Sequence, residues 1–217
     1  MPEIIAVDGP AASGKSTTAK KIAAELSFEY LDTGAMYRAS AFLVTSSGID
    51  AQDGTAASDL LFDHSIDVSS RGVFLDGNDI SGKIRTQAIG EAASIISAHR
   101  AVRDYMVSLQ RAFGEKYDTV AEGRDMGTVV FPNAALKVYV VADIAVRAWR
   151  RLKDLDQGTS QMNTMVQSVF RRDYRDRNRS ESPLRLPPGA LWLDGTSMSI
   201  DQQVSFVLCA YKGRCIR

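Results

Sequence analysis

A chain of 217 residues, 45% of them hydrophobic, can bury a full core, and its length suits one α/β domain carrying insertions better than two equal domains. Its 26 basic and 26 acidic residues balance to a formal net charge of zero, which argues against a protein that holds DNA or a membrane through bulk positive charge. No apolar run is long enough to cross a bilayer and Met1-Pro2-Glu3 carries no basic segment, so a cytoplasmic protein is expected.

The first predicted element is a strand over the apolar run Ile4 to Val7. It leads into Gly9-Pro10-Ala11-Ala12-Ser13-Gly14-Lys15-Ser16-Thr17, which satisfies G-x-x-x-x-G-K-[ST] at every specified position. The spelling has a physical reason: such a loop turns its backbone N–H groups onto one anion, Lys15 reaches the β- and γ-phosphates, and the Ser16 hydroxyl joins Mg²⁺. A helical run from Thr17 to Leu26 supplies the required context and adds positive potential at its start. The motif points to a nucleoside triphosphate and leaves the reaction open.

A strand at Glu29 to Leu31 and a helix from Gly34 to about Thr45 follow, so the chain opens βαβα and implies parallel strands. From Ile49 to Thr86 the pattern changes. Ser65 to Ser69 and Val73 to Asp76 alternate around Ser70-Arg71-Gly72, and Asp76-Gly77-Asn78 is a second turn signal, which together predict a small antiparallel insertion. The alternation resumes with a helix over Arg100 to Glu115 and strands at Thr119 to Ala121 and Leu136 to Ala142. Helices then run to about Asn178, a strand covers Ala190 to Leu193, and a last helix covers Ile200 to Tyr211. His64 and His99 stand apart from any nucleophile or ligand cluster and are read as structural, and Cys209 and Cys215 as free thiols.

Ligands of open parallel sheets gather at the carboxyl ends of the strands, so the residues just after each strand carry the functional weight. Asp32-Thr33-Gly34-Ala35-Met36-Tyr37-Arg38 and Glu122-Gly123-Arg124-Asp125-Met126-Gly127-Thr128 both fall there, and each brings an Arg beside the phosphate loop. In Arg171 to Arg179, Arg172, Asp176 and Arg179 recur at i, i+4 and i+7 and are expected on one helical face. Arg147, Arg150 and Arg151 share another, and with the turn Asp156 to Ser160 they suit a lid that excludes water from a phosphoryl group. Arg outnumbers Lys by 18 to 8, as expected where planar forks must match phosphate oxygens.

These motifs resemble the bacterial-type cytidylate kinases, within the nucleoside monophosphate kinases, nearly from end to end. The resemblance rests on the phosphate loop, on Leu31 to Arg38, on Ile80-Ser81-Gly82-Lys83-Ile84-Arg85-Thr86, on Glu122 to Pro132, and on Asp176-Arg177-Asn178-Arg179. It implies a five-stranded parallel sheet flanked by helices, with a core over 1–48, 100–146 and 180–217, a monophosphate-binding insertion over about 49–99, and a helical lid over about 147–179. It implies transfer of a phosphoryl group from ATP to CMP, and to dCMP, with Mg²⁺, in a protein that nothing requires to be more than a monomer.

Residue by residue, the resemblance assigns Gly9 to Thr17 to ATP and Lys15, Arg124, Arg147 and Arg151 to catalysis. Arg38, Arg124 and Arg179 would grip the acceptor phosphate, and Arg172 and Asp176 the ribose hydroxyls. Ser94, Arg103 and Asp125 would read cytosine in a pocket lined by Tyr37, with Thr33 also among the substrate-binding residues. A carboxylate facing an exocyclic amino group separates cytosine from uracil, which would put a carbonyl there. Glu122, where the family often has Asp, would order Mg²⁺ through water while Ser16 binds it directly. A regulatory GTPase is the competing class, but no N-K-x-D segment is present, and Asp79-Ile80-Ser81-Gly82 spells D-x-x-G only inside the insertion. A kinase for UMP, dTMP or shikimate is the nearer alternative. A nucleic-acid-binding module is the third reading, one that steep salt dependence of binding would favour.

Overall fold

The computed structural model describes residues 2–69 and 72–213, so the Ser70-Arg71 turn and Cys215 lie outside the described residues. Strands β1 (Ile4–Asp8), β2 (Glu29–Asp32), β6 (Thr119–Gly123), β7 (Leu136–Val141) and β8 (Leu191–Asp194) form a five-stranded sheet in the order β2-β6-β1-β7-β8. Every pairing in it is parallel. β1 lies at the centre, covered on both faces, and accordingly reads as an unbroken apolar run rather than an alternating one.

The faces can still be separated residue by residue. Ile5 and Val7 pack with Ala19, Ile22 and Ala23 of α1 (Lys15–Leu26) and with Val204 and Val207 of α8 (Ile200–Tyr211). Ala6 turns the other way, toward α2 (Thr33–Ser46), α4 (Gln87–Ile96) and α5 (Arg100–Gly114). The period of two along a strand produces this split, and each fully buried aliphatic side chain contributes about 1.5 to 3 kcal/mol. Two helices complete the upper part, α6 (Ile144–Asp154) and α7 (Met162–Asn178), joined through a short 3₁₀ turn at Thr159–Gln161. They carry their own apolar cluster of Ala148, Leu152, Met165 and Val169, separate from the two sheet layers.

The antiparallel insertion is present as β3 (Ile66–Ser69), β4 (Gly72–Leu75) and β5 (Asn78–Asp79). It is more than the expected small sheet. α3 (Gly54–Phe62) precedes it and α4 follows it, each opened by a side-chain cap: Asp53 accepts from the Ala56 N–H and Thr86 from the Ile89 N–H. Both helices contain glycine and short side chains whose intrinsic preference is weak, so packing against α5 and α2 decides them. His99 is structural, its Nε2 donating to the Ala51 carbonyl at 2.9 Å, while His64 pairs with Asp76 on the surface. Cys209 is a half-buried free thiol. Among the described residues no helix is long and apolar enough to cross a membrane.

Candidate functional site

The carboxyl ends of β1, β2 and β6 meet where the chain passes from one side of the sheet to the other, and the motif residues gather there. The phosphate loop leaves β1 under tight steric constraint. A Cβ on Gly9 would stand 2.1 Å from the Val140 carbonyl oxygen, and Gly14 holds the left-handed region at φ 97°. Gly14 caps α1 without a side chain, so the first N–H groups of that helix stay available to an anion.

Lys15 is buried, with Nζ donating to the Pro10 carbonyl at 3.3 Å and lying 3.8 Å from Glu122 Oε2. Burial, reinforced by Arg124, pulls its pKa down to about 8, and burial pushes Glu122 up. Ser16 donates its hydroxyl to Glu122 Oε1 at 2.7 Å, while Oε2 is buried without a hydrogen-bond partner. This pair of oxygen groups beside the phosphate loop fits Mg²⁺, which takes few protein ligands and completes its shell with water and substrate phosphates.

Beside the phosphate loop lies an array of guanidinium groups around one carboxylate. Arg124 Nε donates to Asp176 Oδ2 at 2.8 Å, and Ser94 Oγ donates to Asp176 Oδ1 at 3.5 Å. Burial favours the neutral acid at Asp176, yet Arg124, Arg172 and Arg179 hold it below the usual carboxylate range. Arg172 has a buried Nε with no partner, and burial followed by repulsion from Arg124 brings it down to about 10. Arg151 and Arg38 add to the same repulsion. Cations are gathered here against their mutual repulsion, an arrangement that an arriving phosphate dianion relieves.

Further along, Asp125 is ion-paired with Arg103 and lies 3.8 Å from Arg179 Nη2. Arg103 also donates to the Ser97 carbonyl at 3.0 Å and stands 5.6 Å from the centre of the Tyr37 ring. The Tyr37 hydroxyl is buried without a partner, and burial pushes its pKa up to about 12.

Three sequence-based placements change in detail. Arg179 is not on the helical face with Arg172 and Asp176, because α7 ends at Asn178 and Arg179 is extended at φ −64°, ψ 146°. Its guanidinium donates to the Ser182 carbonyl at 2.6 Å and to Ser97 Oγ at 3.4 Å, which puts it beside Asp125. Thr33 is buried and donates its hydroxyl to the Glu122 carbonyl at 2.6 Å, so it ties β2 to β6. The lid arginines divide as well. Arg147 and Arg150 are bound to the phosphate loop through the Ala11 and Ser13 carbonyls, at 3.2 and 2.9 Å, whereas the Arg151 guanidinium makes no hydrogen bond among the described residues.

Two carboxylates that the sequence does not single out hold this site together. Asp173 accepts from the Ala11 N–H at 3.2 Å, and Asp8 accepts from the N–H groups of Met126 and Gly127, both at 2.8 Å. Asp173 shares a helix face with Asp176 three residues on, which is the one local signal for it.

A family model described as Cytidylate kinase matches residues 5–212. The chain is 44% identical over 211 residues to a protein from Burkholderia vietnamiensis named cytidylate kinase, covering 96% of this chain and 92% of that one. It is 42% identical over 214 residues to a cytidylate kinase from Chlorobaculum tepidum, covering 95% and 91%. Among solved structures, a gluconokinase from Sinorhizobium meliloti 1021 superposes with a TM-score of 0.52 at 13% identity over 98% of this chain and 93% of that one. An uncharacterized protein from Eubacterium ventriosum superposes at 0.55 with 11% identity, covering 98% and 99%. These two likenesses concern the fold alone.

Proposed function

The chain belongs to the cytidylate kinase family, and from that membership we propose that it transfers the γ-phosphoryl group of ATP to CMP, and to dCMP, in one in-line step. The observation that carries this reading is that three environments adjoin one another through Arg124, Asp176 and Arg179: Lys15 and free helix N–H groups, then the arginines around Asp176, then Asp125 with Arg103 beside Tyr37. They suit, in turn, a triphosphate, a second phosphate with its ribose, and a base with an amino group.

The acceptor phosphate oxygen is already a nucleophile, so the protein has no covalent intermediate to form. Its work is to bring two anions together and hold them in line. Lys15 acts on the charge passing between the β- and γ-phosphates, and Arg124 and Arg38 neutralise the acceptor. Arg172 and Asp176 hold the ribose hydroxyls, and Arg179 bridges the acceptor phosphate and the base. Ser16 and Glu122 would hold Mg²⁺, which would supply charge neutralisation at the triphosphate. Asp125 accepts from the cytosine amino group while Arg103 and Ser94 meet the ring acceptors and the edge of the base. Arg147 and Arg151 belong to the lid over the transferring group.

The unit that does this is one domain, with a core over 1–48, 100–146 and 180–217. Residues 49–99 form the monophosphate-binding insertion and 147–179 the lid, the latter supported by its separate apolar cluster. A coupled ADP-release assay across CMP, dCMP, UMP, dTMP and shikimate tests the reading. CMP and dCMP give the highest kcat/KM, and Asp125→Ala brings the CMP-to-UMP ratio toward one, because only cytosine offers that carboxylate an amino group. A preference for another acceptor overturns the substrate, and an equal proportional loss for both bases overturns the role of Asp125.

A further inference from the structure

Asp8 ends the central strand of the sheet, opposite Gly123 of β6 and Tyr139 of β7, and its exposure is 0%. A carboxylate there is costly, since transfer of a charged group out of water is tolerated only where hydrogen bonds or partners compensate it. Its two oxygens are spent on two successive backbone groups 118 and 119 positions away: Oδ1 accepts from the Met126 N–H and Oδ2 from the Gly127 N–H, each at 2.8 Å.

Those N–H groups open a turn of π-helix, Met126–Val130, whose own first residue before the turn, Asp125, makes no side-chain cap. Orphan donors at the start of a helical turn need an acceptor, and here it comes from another strand. Gly127 is held tightly from the other side, where a Cβ would meet the Pro187 ring at 2.9 Å. The residue before Met126 is Asp125 and the residue after Asp8 is Gly9, so one carboxylate joins the base of the phosphate loop to the segment that carries Arg124 and Asp125.

We propose that Asp8 is a positioning residue for acceptor-base selection, its carboxylate fixing the backbone from which Asp125 reaches the base. This rests on the reading of Asp125 as the group that reads cytosine. Ionised, Asp8 satisfies both N–H groups; protonated, it offers one acceptor fewer and turns a proton toward a donor. Burial pushes its pKa up to about 7, with the two N–H bonds opposing, Asp125 raising it further and Arg124 lowering it. Tyr139 faces it from β7 and is neutral across the working range, its pKa raised above the usual value by burial first and by Asp8 among its neighbours. Selection is therefore strongest above about pH 7 and weakens below it.

The test measures kcat/KM for CMP and UMP in wild type, Asp8→Asn, Asp125→Ala and the double variant. Asn keeps the shape but turns an NH₂ group at one of the two donors. Asp8→Asn is expected to lower the CMP-to-UMP ratio about tenfold, the scale of one lost charge-assisted hydrogen bond, with the ATP KM within about twofold. In the Asp125→Ala background the same substitution leaves the ratio unmoved. If Asp125→Ala lowers the ratio and Asp8→Asn does not, the inference about Asp8 is overturned and the reading of Asp125 stands. If Asp125→Ala leaves the ratio intact, that reading has failed. Should Asp8→Asn not fold, the wild type decides: a CMP-to-UMP ratio that falls from pH 8 to pH 6 supports the assignment, and a flat ratio overturns it.

Discussion

Arg147 donates to Asp173 Oδ2 at 2.5 Å, and between them the two side chains take both polar backbone groups of Ala11, one accepting its N–H and the other donating to its carbonyl. One residue from each of α6 and α7 thus clamps a single residue of the phosphate loop. The Arg147 guanidinium is further anchored by Nε, which donates to the Ala142 carbonyl at 2.9 Å, so Nε and Nη1 are both engaged in holding the loop and its surroundings.

Arg147 and Arg151 are therefore expected to separate under mutation. The Arg147 side chain is 8% exposed and that of Asp173 10%, so Arg147→Ala leaves a buried carboxylate uncompensated and costs about 3 kcal/mol, on the order of 10 °C in Tm. The Arg151 guanidinium is held by no hydrogen bond among the described residues, and burial lowers its pKa first of all, so Arg151→Ala costs less than about 1 kcal/mol while kcat falls about tenfold or more. Thermal melts beside steady-state kinetics separate the two; equal losses of Tm would show that the clamp is not special.

Lys15→Ala is expected to cut turnover by about a hundredfold or more with cooperative folding retained, because the lost cation acts on charge that develops during transfer. The folded protein already holds Lys15 at a disadvantage, through burial and Arg124, so its removal relieves repulsion as it leaves Glu122 without a cation. Turnover close to wild type would remove the phosphate-loop assignment.

Arg124→Ala and Arg179→Ala each raise the CMP requirement and lower kcat/KM for CMP by about ten- to a hundredfold, the scale of a lost charge-assisted fork. Arg124→Ala also releases Asp176, which loses its 2.8 Å partner, so its effect extends to the ribose contacts. Normal CMP kinetics with impaired ATP binding would place these residues on the donor side instead.

Ala12 occupies the left-handed region at φ 56° inside the phosphate loop, a conformation that costs a residue with a Cβ about 1 to 2 kcal/mol. Ala12→Gly relieves that strain but loosens the unfolded chain, and the two effects leave stability within about 1 kcal/mol of wild type. Ala12→Val puts a β-branched side chain where it fits worst and raises the ATP KM while the CMP KM holds. An ATP KM unaffected by valine would mean that the loop is reshaped when nucleotide binds.

What is contiguous in the chain was legible without the fold. Gly9 to Thr17 specify a phosphate loop because each position answers a local steric or donor requirement, and the strands around them are marked by apolar runs that parallel packing demands. The order of elements, the antiparallel insertion and the gathering of arginines near the phosphate loop followed from the same kind of local pattern, joined to the family resemblance. The tertiary structure decided what depends on distant partners. Helices α3 and α4 form from weak local preference because other helices cover them, and Arg179 leaves its expected face because α7 stops one residue short of it. Asp8 and Asp173 read as an ordinary strand end and an ordinary helix charge until residues 118 and 162 positions away supply their hydrogen bonds. A hydrogen bond between backbone and carboxylate carries no sequence signature on the backbone side, since every residue but proline offers the same N–H.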